Sequence, residues 1–190
     1  YSKAGLVTMH GPSLDSCLAK IEDSHEAQSS FEALLRIMSG MCNDPFGEML
    51  LDLLCGEGAA EGPLIGGNLS MLSSLMGTPW EPEFDGHILF IEEYAEAPYR
   101  IHRMLLQMKL AGKFNRVRGV VLGHLSSCVQ RRGLGPNVEE AIKDIFSEFN
   151  FPVLSGAPFG HELLNLPVPL GVRASIEKKR FRILEPVVAL

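Results

Sequence analysis

HILFIEEYAEAPYRIHRMLLQMKLAGKFNRVRGVVLGH, residues 87–124, sets the fold class. Its first part, HILFIEE, is a continuous apolar run with β-branched character, the pattern of a strand covered on both faces. Pro98 follows at a position where a helix can start, because its missing N–H is not needed at the first helical residue. Ile101, Met104, Leu105 and Met108 then recur at i, i+3, i+4 and i+7 and make one apolar stripe. Gly112 ends the helical pattern, and VRGVVLG (117–123) is a second buried strand. Strand, helix and strand in this order form a crossover unit of a parallel sheet.

Outward from this unit the pattern repeats. VEEAIKDIFSEF (138–149) reads as an amphipathic helix and FPVLSG (151–156) as a third strand. VRASIEKK and RFRILEP read as two final strands in a hairpin. On the N-terminal side, CGEGAAEGPLIGGNL (55–69) reads as a turn, a short strand and a second turn, and LSMLSSLM as a short helix closed by Gly77. TPWEPEFDG is a Pro-rich loop. Residues 13–56, including LAKIEDSHEAQSSFEALLRIM and PFGEMLLDLL, lack alternation and are rich in helix formers, so they read as a connecting helical segment. The expected fold is α/β: a parallel-core sheet with flanking helices and a C-terminal β-hairpin.

Composition narrows the function classes. The chain has 190 residues, 46% hydrophobic and 21% charged, enough for a core without disulfides or metals. A net charge of -6 argues against nucleic acid or an acidic membrane surface as partner. No apolar run approaches the roughly 20 residues needed to cross a bilayer. Cys17, Cys42, Cys55 and Cys128 are widely spaced, with no CxxC or Cys/His ligand pattern, so they read as free thiols in a reducing compartment and no metal site is expected. No secretory leader is visible, and the chain opens on Tyr1, which reads as a start inside a longer protein.

In an open parallel sheet, functional groups gather beyond the carboxyl ends of the strands. Three strands end there in polar residues: Glu92-Glu93, Gly123-His124, and Ser155-Gly156 leading to Gly160-His161. A carboxylate that orients an imidazole acting as general base is the usual activation of a serine nucleophile. Two acids after a strand are also common as solvated groups favouring a helix N-terminus, and from spacing alone both readings stand. His161 likewise reads as a base or as a loop histidine bonded to backbone. His124 reads as structural and His10, in MHGP, as a turn residue. GGNLS (66–70) allows close backbone approach to an anion, or is a tight turn with Asn68 as N-cap. Trp80 could stack on a ligand or pack. Arg100 and Arg103 could clamp a carboxylate or lie solvated on the polar side of their helix.

GLVTMHGP, GPLIGGNLSMLSSLMGTPWEP, GHILFIEEYAEAPYRIHRMLLQM, RGVVLGH and GAPFGHELLNLPVPLG, taken together and in this order, resemble the LD-carboxypeptidases. These serine peptidases include muramoyltetrapeptide carboxypeptidase, and the microcin-C self-immunity carboxypeptidase is a relative. The resemblance implies a Ser-His-Glu triad. Its glutamate closes a strand motif of the type LFLED, here Leu89 to Glu93, which carries the role to Glu92. Its histidine lies in G-x-P-x-G-H, met by Gly156, Pro158, Gly160 and His161. Apart from the resemblance, Gly67 and Asn68, where the Gly-Gly turn allows close backbone approach, and Trp80, which could stack, are the candidate substrate-binding positions.

The family nucleophile sits in a G-x-S-D motif, which occurs nowhere in the 190 residues; Ser2 lacks both flanking residues. The expectation is therefore that residues 57–190 are the C-terminal domain of a two-domain serine carboxypeptidase, residues 1–56 connect to it, and the N-terminal nucleophile domain is not in this chain. The implied substrate is a murein tetrapeptide cut between its L-diamino acid and D-Ala in cytoplasmic peptidoglycan recycling, by a homodimer with no cofactor. A chain without the serine is expected to be inactive alone. The alternatives are a relative acting on a peptidyl-nucleotide antibiotic and a non-catalytic domain that binds a peptide or a partner.

Overall fold

A computed structural model of the chain describes residues 4–13, 15, 19–130 and 135–188. Its elements are β1 (Thr8–His10), α1 (His25–Met38), β2 (Asp52–Cys55), β3 (Ala60–Asn68), α2 (Leu69–Ser74), β4 (Ile88–Tyr94), α3 (Pro98–Leu110), β5 (Gly119–Ser126), α4 (Val138–Phe146), β6 (Val153–Ser155), β7 (Val168–Leu170), β8 (Arg173–Glu177) and β9 (Arg180–Ile183). Among the described residues, no helix is long and apolar enough to cross a membrane. Cys42, Cys55 and Cys128 are free thiols, while Cys17 and Ser2 lie outside the described residues.

Seven strands form one sheet in the order β2-β6-β5-β4-β3-β8-β9. The inner four, β3 to β6, are parallel, and the outer pairings are antiparallel. Their sequence order equals their spatial order, so right-handed crossovers put every connecting helix on the same face. Accordingly α2, α3 and α4 all pack into one apolar cluster, through Leu69 and Leu72, Ile101 and Leu105, and Ile142 and Phe146. The other face of the sheet is covered by a second cluster: Phe46 and Leu51, Ala157, Phe159 and Leu166 of the loop after β6, and Phe181 and Ile183 of β9.

Strand β4 lies between these layers. Leu89 and Ile91 belong to the helix-side cluster, Ile88 and Phe90 to the opposite one. This two-residue alternation explains why the run is apolar throughout. Helix α3 starts with Pro98 and buries Ile101, Leu105 and Met108. Helix α1 lies on the loop-covered side, where Ala33 packs against the second cluster.

The parallel core, its flanking helices and the hairpin match the expected fold class. The hairpin turns through Lys178 and Lys179, both at positive φ (49° and 68°), as a two-residue turn between right-twisted strands requires. Three local readings change. The Gly-rich stretch 60–68 is a nine-residue strand rather than a short one. Gly66 allows this: a methyl there would collide with the Phe90 carbonyl, so the absent side chain lets β3 and β4 approach. Within 13–56, α-helix covers 25–38, and PFGEMLLDLL holds β2 instead of helix. Pairing of Asp52–Cys55 with β6 at the sheet edge overrides the helix-forming preference of Met and Leu. His10 is not a turn residue but the last residue of β1, paired with Val168 of β7.

Candidate active site

The alternation of β4 continues into its polar end and sends the two acids to opposite faces. Glu93 turns to the helix side. It is 2% exposed, and its carboxylate accepts from Asn68 Nδ2 (2.9 Å), Ser70 N (2.8 Å), Ser70 Oγ (2.6 Å) and Tyr94 N (2.8 Å). An anion so placed satisfies backbone donors at the start of α2, where the helix dipole also favours it. Asn68 is the N-cap of this helix, accepting from Met71 N at 3.1 Å.

Glu92 turns the other way, toward the loop that follows β6, and is 0% exposed. Its Oε2 is 2.7 Å from Nδ1 of His161. A carboxylate only accepts, so Nδ1 carries the shared proton and Nε2 is the basic nitrogen of the neutral ring. His161 is 47% exposed. It lines a cleft of about 620 Å³ with His10, Ser13, Lys20, Tyr94 and Glu162 among its neighbours. The Tyr94 ring stacks on the imidazole, centroids 5.0 Å apart and planes at 27°. The carboxylate is thus dry and fixed while the imidazole meets the cleft, an arrangement that can serve general-base chemistry.

The turn that presents His161 is braced from a distance. Gly160 N donates to Asn165 Oδ1 at 3.0 Å, and Asn165 N donates to Ser30 Oγ at 2.8 Å. Ser30, wholly buried in α1, has its hydroxyl 2.9 Å from the Leu163 carbonyl. Gly160 itself has φ +124°, and a Cβ there would stand 3.2 Å from both Cβ and Oε2 of Glu92 and 3.3 Å from Cβ of His124. Only glycine lets the loop come this close to the acid. Nothing in the local sequence marked Ser30, Asn165 or Tyr94, since their partners are supplied by distant elements.

Two further histidines surround Glu92. His10 Nε2 lies 4.0 Å from Glu92 Oε1, and the His10 ring is tilted against Phe90 at 5.6 Å. Burial pushes the His10 pKa down; Glu92 opposes this and His161 adds to it. His124, near the end of β5, is likewise pushed down by burial against the pull of Glu162 and Glu92. The strand ends do converge, then: Glu92, His161 and His124 occupy one edge, joined by His10. Among the described residues no group of three or more His, Cys, Asp or Glu is arranged to hold a metal.

The remaining singled-out positions lie apart from the cleft lining. Gly67 and Asn68 pair with Ile91 and Glu92 across β3 and β4, so they adjoin the acid through the sheet. The side of Gly67 where a Cβ would stand is open. Trp80 is 69% exposed in the loop after α2, outside the cleft. Arg100 pairs with Glu96 at 3.5 Å on the surface of α3.

Comparison with known proteins places this arrangement. Residues 61–176 match the profile of the LD-carboxypeptidase C-terminal domain. The Bacillus subtilis protein named "Probable murein peptide carboxypeptidase" is 34% identical over 178 residues, which cover 93% of this chain and 54% of that protein. The crystal structure of muramoyltetrapeptide carboxypeptidase from Oxalobacter formigenes superposes with a TM-score of 0.79 at 30% identity, covering 96% of this chain and 62% of that one. The microcin C7 self-immunity protein MccF of Escherichia coli is 29% identical over 93% of this chain and 58% of its own length. A structure of MccF in complex with glutamyl sulfamoyl guanosine superposes with a TM-score of 0.80 at 27% identity, covering 100% of this chain and 64% of that one. The chain spans about half the length of the curated relatives it matches.

Proposed function

The chain belongs to the LD-carboxypeptidase family, and from that premise we propose that it is the acid-and-base half of a serine carboxypeptidase that removes D-Ala from murein tetrapeptides. The observation that carries this reading is the 2.7 Å contact between fully buried Glu92 and cleft-facing His161. Residues 57–190 act as the C-terminal domain, and 1–56 lead into it while supplying β2 to its sheet. The nucleophile comes from an N-terminal domain with a G-x-S-D motif, a motif that these 190 residues do not contain.

In the proposed reaction the serine Oγ attacks the carbonyl carbon of the L-diamino acid, and its proton passes to His161 Nε2. Collapse of the tetrahedral intermediate breaks the C–N bond, and the leaving D-Ala amine takes the proton from Nε2. Water then attacks the acyl-enzyme by the same route and restores the serine. Glu92 holds the Nδ1–H tautomer and stabilises the imidazolium formed in both steps. Gly67 and Asn68 border the acid, and the open side of Gly67 admits a peptide backbone. The substrate class sets the reaction in cytoplasmic peptidoglycan recycling, with the complete enzyme a homodimer.

The likeness to the MccF complex favours one second substrate, an aminoacyl sulfamoyl nucleoside, cut by the same acid and base. The test is D-Ala release from murein tetrapeptide by this chain and by the longer protein that contains it. The chain alone is expected to release none. The longer protein is expected to turn over and to lose about 10⁴-fold in kcat on Glu92→Gln. Turnover by the chain alone, abolished by Glu92→Gln, overturns the absent nucleophile. A longer protein that binds tetrapeptide but cleaves neither it nor the sulfamoyl nucleoside makes this a binding domain.

A further inference from the structure

His10 does not enter the reaction above, yet it faces the acid on which that reaction depends. Glu92 Oε1 and His10 Nε2 are both buried, and neither has a hydrogen-bond partner among the described residues. They stand 4.0 Å apart. A buried carboxylate oxygen and a buried ring nitrogen left without partners are both costly, and an approach of roughly 1 Å that joins them relieves both. The surroundings favour that approach. Phe90 and Glu92 are two residues apart in β4 and share a face, and the His10 ring rests against Phe90. Pairing of β1 with β7 anchors the His10 backbone beside the loop that carries His161.

We propose that His10 is a positioning residue: its Nε2–H closes on Glu92 Oε1, so that one carboxylate is held between two imidazoles, one on each oxygen. This rests on the reading of Glu92 and His161 as acid and base. A carboxylate with a single bond can swing about its Cγ–Cδ axis, and a donor on the second oxygen locks its plane and keeps Oε2 aimed at His161 Nδ1. The neutral form of His10 suits the task. Burial disfavours its charged form, and a second imidazolium would compete with His161 for Glu92. The other titratable groups around the site are His124 and, along the cleft, Asp15, Lys20, Tyr94 and Glu162.

The test is nitrogen-15 NMR of the histidine side chains in this chain, above pH 7. His10 is expected as the Nε2–H tautomer, and His161 is expected to show a low-field Nδ1–H resonance. In His10→Phe, which keeps a ring against Phe90, the His161 Nδ1–H should exchange with water about tenfold faster, reflecting a looser acid. His10→Gln, which restores an N–H donor, should recover most of the loss. In Glu92→Gln the His10 titration midpoint should fall further, because its attracting charge is gone. His10 found as the Nδ1–H tautomer in the unaltered chain overturns the proposal. So does unchanged exchange in His10→Phe. No readout needs turnover, so failure here is distinct from failure of the carboxypeptidase reading.

Discussion

Gly160→Ala tests how closely the loop must approach the acid. Gly160 has φ +124°, a region costing an L-residue about 1–3 kcal/mol. The new methyl would also stand 3.2 Å from Cβ and Oε2 of Glu92 and 3.3 Å from Cβ of His124. Glu92 is wholly buried, so it cannot retreat without repacking, which adds about 1–2 kcal/mol. The total of about 2–5 kcal/mol corresponds to a melting-temperature loss of about 4–20 °C for a chain of this size. Gly156→Ala is the internal control: its φ is +88°, but a Cβ there meets nothing within 4 Å. Both variants share the strain and the gain from a stiffer unfolded chain, so their difference isolates the contact with Glu92. Thermal unfolding by circular dichroism should place Gly160→Ala about 2–8 °C below Gly156→Ala. The His161 Nδ1–H resonance should move only in the former. Equal melting temperatures with an unmoved resonance would refute the claim that the acid fills this space.

Glu93→Ala should cost about 3 kcal/mol, because Ser70 N and Tyr94 N lose a charged acceptor that they reach at 2.8 Å. Chemical denaturation reads this, and a loss below about 1 kcal/mol would show that water replaces Glu93 without difficulty. Stability should also depend on pH through His10 and His124, whose folded pKa values are both lowered from the ordinary 6.5. Well above pH 6.5 both rings are neutral, folded or unfolded, and add no slope. As pH falls below 6.5 the unfolded chain takes up protons that the fold resists, so stability falls until the folded values are passed. The slope from His10 reaches at most about 1.4 kcal/mol per pH unit, and half-buried His124 adds less because solvent screens it. Urea titrations at pH 7.5, 6.5 and 5.5 with His10→Gln as reference check this; an identical pH profile for the two chains would contradict it. Trp80→Ala should change stability by less than about 1 kcal/mol, given an exposure of 69%, and a larger loss would mean that its exposed ring is a packing element.

The layered architecture is legible from local pattern. HILFIEE has no polar face, so it needs cover on both sides, and the stripe Ile101, Leu105, Met108 supplies one cover. These are properties of neighbours in sequence, and periodicity reports them directly. PFGEMLLDLL has a helix-like local pattern yet ends in a strand, because a strand at a sheet edge depends on a partner, β6, roughly a hundred residues away. MHGP likewise suggests a turn at His10, since the pairing of β1 with β7 leaves no trace in the three residues of β1.

For the site, motif likeness singled out Glu92 and His161 as residues, but their relation to each other is tertiary. Sixty-nine positions separate them, and the 2.7 Å between them depends on Gly160 admitting the loop and on Asn165 and Ser30, 135 positions apart, bracing it. Which of two adjacent glutamates meets the histidine is set by the sidedness of β4. Alternation says that Glu92 and Glu93 oppose each other, but only the packed layers say which side holds α2 and which holds the loop. Residue type and spacing are local quantities. The burial that dries Glu92, and the approach of His10 to its second oxygen, belong to chain segments that meet only when the sheet closes over its two cores.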